Sequence, residues 1–244
     1  MSSPIVTYSL DGPVATITMD DGQNNLVSPT MLSQLNAALD RAQRDQAIVV
    51  LTGRPDMFCA GFDLKILQSG VLDAFGMLTG GFELSARLLA FPTPVLIAST
   101  GHAVAMGSFL LLSGDYRVGA LGDYKIMANE VAIGLTVPHS AVAICRQRLD
   151  PAHLVRAVTL SECFDPRSAV AAGFLDRAVE PQDLAAVAAE RAAEYSKLDL
   201  DAHRKTKLRL RKQVLRSIGR GLARDRMEFV GLGIQRAVRS LRRR

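Results

Sequence analysis

Apolar and polar positions alternate over Ile5–Leu10 and again over Val14–Met19, on either side of Asp11-Gly12-Pro13. A period of two flanking a glycine-containing turn predicts an antiparallel hairpin. Ser28-Pro29 then offers a side-chain cap and a first-turn proline, and Met31, Leu32, Leu35 and Leu39 recur at helical spacing, so a helix should run to about Arg44. Ile48–Thr52 (IVVLT) has the pattern of a short buried strand, and Gly53-Arg54-Pro55-Asp56 reads as the loop after it. A helix is predicted over Val71–Ala90, before Pro92 and Pro94, and Val95–Ser99 reads as a second buried strand. Gly101-His102-Ala103 reads as a turn of small residues and Met106–Leu112 as a buried helix. Tyr116–Val118 and Lys125–Met127 predict short strands. Beyond Pro138 the pattern is helical, with breaks near Pro151, Pro166 and Pro181 and one strand at Leu175–Val179.

Strand–helix alternation in the first half implies an α/β fold, a parallel-type sheet wrapped by helices. The 244 residues suit one core domain over 1–195 with a helical extension over 196–244, and no repeat or flexible linker intervenes. Apolar residues at 48% and charged residues at 22% exclude a disordered or collagen-like chain. No apolar run approaches the roughly 18 residues of a membrane-spanning helix. The first residues lack the basic and apolar regions of an export signal. Cys59, Cys145 and Cys163 are odd in number and lack metal-ligand spacing, so no metal site is expected and a reducing, cytoplasmic setting is.

Charge changes this picture. The net +5 divides into −8 for residues 1–202 and +13 for 203–244. Such a basic stretch suits nucleic acid, a phosphorylated small ligand or the acidic face of another subunit, besides an ordinary solvated helix face.

Two turns carry the candidate chemistry: Phe58-Cys59-Ala60-Gly61-Phe62-Asp63-Leu64 after the first buried strand, and Gly101 to Gly107 after the second. Ligands of open α/β sheets bind outside the carboxyl ends of strands, where helix-start N–H groups are free. Two such groups converging on one point can hold a carbonyl oxygen that gains charge.

FCAGFDL, GHAVAMGS, GDYR and NEVAIGLTVP, in that order, resemble the successive motifs of the crotonase (enoyl-CoA hydratase/isomerase) superfamily. The resemblance extends over the hairpin, Asn24-Asn25-Leu26 and Ala169–Pro181, and spans about residues 5–195. It implies a crotonase-like fold of repeated ββα units, a helical C-terminal trimerisation region, an acyl-CoA thioester as substrate, and a homotrimer or a hexamer of two trimers. Coenzyme A then belongs to the substrate and no separate cofactor is needed. By position the oxyanion donors are the amides of Phe62 and Met106. Met106 stands in Ala105-Met106-Gly107 where the family has three glycines, and a backbone donor at a helix start needs no unusual φ, so any residue can supply it. Ala60, Asp63, Leu64, Lys65 and Phe109 are implied as substrate contacts, with Lys205 and Lys207 brought toward the CoA phosphates.

Hydratases of this family resemble one another in two glutamates. Here the first position is Phe109, which cannot ionise, and the second is Glu130. The one-glutamate pattern resembles the mitochondrial-type Δ3,Δ2-enoyl-CoA isomerases. One carboxylate suffices there, taking a proton from C2 and returning it at C4 while the oxyanion hole holds the dienolate. The rival readings are an enoyl-CoA hydratase and a non-catalytic or RNA-binding relative, although nucleic acid is disfavoured. His102 and His139 lie in the right segments without an evident Ser/Asp partner. Asp63 also suits a helix cap, Lys65 a solvated position and Asp115 a structural role.

Overall fold

A computed structural model describes residues 4–69 and 71–241. The hairpin forms as β1 (Val6–Asp11) and β2 (Val14–Met19), antiparallel, with Val6 opposite Met19. Helix α1 (Pro29–Arg44) starts where the cap predicts: Ser28 Oγ accepts the Met31 N–H at 3.2 Å, and Met31, Leu32, Leu35 and Leu39 turn inward.

The next segments repeat one unit. Strand β3 (Ile48–Thr52) is followed by β4 (Asp56–Cys59) and the helices α2 (Leu64–Ser69) and α3 (Val71–Ala90). Strand β5 (Val95–Ser99) is followed by β6 (Gly101–Val104) and α4 (Met106–Leu111), and β7 (Tyr116–Ala120) by β8 (Ile126–Met127) and α5 (His139–Arg148). The first strand of each unit joins a six-stranded sheet in the order β1-β2-β3-β5-β7-β9, where β9 is Arg177–Val179. The second strand of each joins a separate parallel sheet in the order β4-β6-β8. This is an α/β fold of ββα units. Helices α6 (Pro151–Thr159), α7 (Pro166–Ala172), α8 (Leu184–Tyr195) and α9 (Leu200–Leu241) complete it, and α6 and α7 begin at the prolines that predicted breaks. Among the described residues no helix is long and apolar enough to cross a membrane.

The second sheet corrects two readings. Asp56 and Gly101-His102-Ala103 are strand residues rather than loop and turn. Strands of two to four residues are too short to show alternation, and β4 also carries a bulge between Met57 and Cys59.

A third correction concerns the basic C-terminal stretch. Lys207 and Arg211 of α9 do not face solvent; their side chains are 3% and 4% exposed. Both bind Asp115, Lys207 Nζ at 2.6 Å and Arg211 Nη2 at 2.9 Å. Arg211 also donates to the carbonyls of Leu89 and Gly114, and the Val95 N–H donates to Asp115 at 2.8 Å. Asp115 thus ties α9 to the start of β5, and Val214 and Ile218 of the same helix enter the main apolar core. Burial pushes the Lys207 ammonium down to about 8, the nearby Asp115 carboxylate opposing the shift.

Removing one partner of a buried ion pair leaves the rest uncompensated. Asp115→Ala is therefore expected to lower stability by about 3–5 kcal/mol in urea denaturation, at pH 7.

Candidate functional site

Three residues singled out in the sequence follow the carboxyl ends of three adjacent parallel strands. Phe62 comes three residues after β4, Met106 two after β6 and Glu130 three after β8. Neighbouring strands lie about 4.8 Å apart, so the three ends span about 10 Å, one small-molecule length. Sequence pattern alone placed the first two turns after β3 and β5. The structure places them after β4 and β6, which brings Glu130 into the same row.

Each group is fixed by backbone chemistry. Val27 donates to Gly61 O at 2.8 Å and accepts from the Asp63 N–H at 3.3 Å, so Phe62 between them turns its own N–H to the opposite side. Gly61 takes φ +102°, and a Cβ there would lie 2.9 Å from Ala105 Cβ and 3.6 Å from Met106 N. The Phe62 and Met106 amides therefore start from one close contact. Gly107 permits it: a Cβ on Gly107 would strike the Cys59 carbonyl oxygen at 2.0 Å, so only glycine lets α4 press its start onto the end of β4. Asn25 holds that end from below, its buried amide donating to the carbonyls of Met19, Met57 and Phe58.

The expectation of ordinary backbone at the second donor fails. Ala105 takes φ +51° and ψ −123°, a conformation that glycine adopts freely and L-residues resist. Its N–H donates to Met127 O at 2.9 Å, which holds the turn against the end of β8. Met106 opens α4, and its amide belongs to the first-turn donors that have no intrahelical partner.

Glu130 lies within about 11 Å of Met127, the reach of three residues. It starts a short 3₁₀ turn, Val131–Ile133, closed by Gly134 at φ +78°, and its carbonyl accepts from Leu135 at 2.8 Å. Glu130 is 8% exposed, and its Oε2 is buried without a hydrogen-bond partner among the described residues. Burial pushes its carboxyl up to about 7, opposed only by its own backbone N–H. The buried Cys145 thiol of α5 feels that carboxylate, and it is raised first by burial and then by the Glu130 charge.

An apolar wall lies behind the two amides. Phe82 of α3 packs edge-on to Phe62 at 6.2 Å between centroids and beside Phe109 at 6.0 Å. A Cβ on Gly81 would lie 2.6 Å from the Phe62 ring and 3.3 Å from Met106 Sδ. Phe109, Phe82 and Met106 are fully enclosed, and Phe62 is half-buried in front of them. Such a site can bind a carbonyl oxygen at two amides and exchange a proton with one carboxylate.

The remaining candidates divide. Ala60 is half-buried between β4 and Gly61, while Leu64 and Lys65 are exposed at the start of α2. Asp63 is a cap: its Oδ1 accepts the Lys65 N–H at 2.9 Å. Lys205 is exposed and pairs with Asp201. Lys207 is withdrawn as a phosphate contact, because its ammonium is sealed beside Asp115. His102 accepts the Lys125 N–H at Nδ1, 2.9 Å, and meets Tyr124 edge-on, a structural role. His139 donates its backbone N–H to Asp225 at 2.9 Å, at the start of α5.

Residues 10–240 match the enoyl-CoA hydratase/isomerase family model. The chain belongs to that family. Over 176 residues it is 34% identical to a protein of Mycobacterium tuberculosis named a probable enoyl-CoA hydratase, covering 69% of this chain and 67% of that one. A solved structure described as an enoyl-CoA isomerase of the same bacterium is 45% identical, with TM-score 0.90 over 93% of this chain and 100% of that one. The same protein was also solved as a probable enoyl-CoA hydratase, at 45% identity, TM-score 0.91 and coverage of 96% and 99%. Family membership thus covers both reactions.

Two predictions follow from the strained and buried groups. Ala105→Gly should raise stability by about 1 kcal/mol, read as a higher urea midpoint, since the turn already has the geometry glycine prefers. Glu130 binds a proton in the folded chain between about 4.5 and 7 that the unfolded chain releases, so stability falls as pH rises through that window. Above it the cost is roughly 3 kcal/mol. Glu130→Gln should therefore stabilise the protein by roughly 1–3 kcal/mol at pH 8 and hardly at pH 5.

Proposed function

We propose that this family member is a Δ3,Δ2-enoyl-CoA isomerase. The observation that carries the reading is a single buried carboxylate, Glu130, at the end of β8, with Phe109 sealed in the apolar wall where a hydratase would hold its other glutamate. The thioester carbonyl sits between the Phe62 and Met106 amides, which form the oxyanion hole. Glu130, ionised, takes the proton from C2 of a 3-enoyl-CoA; the C–H pair becomes the C1–C2 double bond of a dienolate, its charge resting on the thioester oxygen. The same carboxyl returns the proton at C4, the double bond settles between C2 and C3, and the carboxylate is regenerated.

A carboxyl held near 7 suits both halves of this cycle, because it is a stronger base than an ordinary glutamate and gives the proton back readily. Coenzyme A enters as part of the substrate, and no other cofactor takes part. Large apolar side chains exposed beside the site, Val131, Ile133 and Leu135, support an oligomer, which we take to be a homotrimer or a pair of trimers. Water addition is the second reading, favoured by the names of several relatives.

Glu130→Gln tests the isomerase reading. It should lower kcat for 3-enoyl-CoA by at least about 10³-fold, while the affinity for a saturated acyl-CoA changes by less than about threefold. Wild-type kcat should rise with pH through about 7 as Glu130 ionises. Retention of a tenth or more of wild-type isomerisation by the variant would remove Glu130 from the mechanism.

A further inference from the structure

Helix α5 presents a buried face and a stripe toward α9. Ser140, Ala141, Ile144 and Cys145 face the core, and Cys145 lies near enough to feel Glu130. His139, Val142, Ala143, Arg146 and Gln147 form the other stripe, at spacings of three and four, and line a groove of about 480 Å³ against α9. From α9 the groove takes Leu210, Val214, Ser217, Arg220 and Arg224, again three or four apart.

The two helices run antiparallel. Asp225 caps the start of α5, accepting from the His139 N–H at 2.9 Å and from Ser140 Oγ at 3.0 Å. At the other end Arg148 and Arg211 share the Gly114 carbonyl. Arg220 and Arg224 therefore stand at the His139 end, and Arg146 lies about 10 Å along, seven residues of helix rise. The apolar part of the lining is Val142, Ala143, Val214 and Leu210, the last 81% exposed and about 15 Å of helix rise from Arg220.

None of these three arginines enters an ion pair or hydrogen bond among the described residues, unlike Arg54, Arg87, Arg117 and Arg211. The nearby acid, Asp225, is engaged in capping. Gln147 Oε1, on the same stripe, is buried and also lacks a partner. Guanidinium forks match carboxylate and phosphate, and the volume lies within the range of small-molecule sites.

We propose that the α5–α9 groove is a second ligand site, separate from the thioester site, that binds an anionic amphiphile. Arg220 and Arg224 take its carboxylate or phosphate head, and the apolar chain runs past Val214 and Val142 toward Leu210. Both chemistry and length matter: the head alone lacks the apolar wall, and the chain alone leaves the arginines unmatched. The proposal does not depend on which reaction the thioester site performs.

Calorimetric titration of the full chain with dodecanoate and with dodecyl phosphate tests this, with inorganic phosphate, acetate and dodecanol as the incomplete probes. At least one amphiphile should bind with one site per chain, and tenfold or more tighter than any incomplete probe. The two amphiphiles distinguish a carboxylate head from a phosphate head. Arg220→Ala with Arg224→Ala should weaken binding at least tenfold, and Leu210→Ser at least threefold. Arg216→Ala, an exposed arginine outside the groove, should leave it unchanged. Circular dichroism checks that every variant, the double arginine variant included, is folded. Absence of binding by the wild type, or equal binding by the double variant when folded, would overturn the proposal.

Discussion

Parallel pairing of β4, β6 and β8 is the constraint on which the site depends. Each strand is only two to four residues long, yet each is followed within three residues by a residue with a distinct task. The pairing is secured less by the strands themselves than by what presses on their ends. Glycine at 107 lets α4 rest on the Cys59 carbonyl, Asn25 gathers the carbonyls of Met57 and Phe58, and the Ala105 N–H reaches Met127. Strain at Ala105 and the unpaired Glu130 oxygen are local costs that the surrounding core sustains, a distribution common where function needs a group that folding alone would not place there.

The same logic reaches the C-terminal helix. A chain with +13 in its last 42 residues reads as solvent-facing, yet the helix is anchored by a buried carboxylate between two cations. Asp115 connects α9 to the large sheet, and α9 in turn packs on α3 and α5, the helices that wall the site. Removal of the C-terminal stretch would thus take Lys207, Arg211, Val214 and Ile218 out of the core as well as a surface away from any partner.

Much of the large sheet was legible in the sequence, because β2, β3 and β5 and the helices α1 and α3 have long enough patterns and clear caps or prolines. The small sheet was not. Its strands fall below the length at which a period of two can be seen, and glycine and histidine at 101 and 102 favour a turn reading. The site was legible in part. Phe62, Met106 and Glu130 came from motif order and resemblance, and the structure explains the grouping by strand order. Asn25 and Gly81 were missed as support, since an asparagine among turn residues and a glycine inside a helix carry no signal until their neighbours are known. Lys207 was misplaced because sequence cannot show which lysine of a basic helix meets a buried acid.

The two family reactions differ in whether water is added, and the proposed isomerase reading rests on Phe109 standing in the enclosed Phe82–Phe109 wall in place of a second carboxylate. The most direct measurement gives the enzyme 3-enoyl-CoA and 2-enoyl-CoA separately in ¹⁸O-labelled water and identifies the products by mass. The account predicts rapid conversion of the 3-enoyl substrate to an isomer of unchanged mass, with negligible ¹⁸O in either reaction. Formation of ¹⁸O-labelled 3-hydroxyacyl-CoA at a rate equal to or above isomerisation would contradict it.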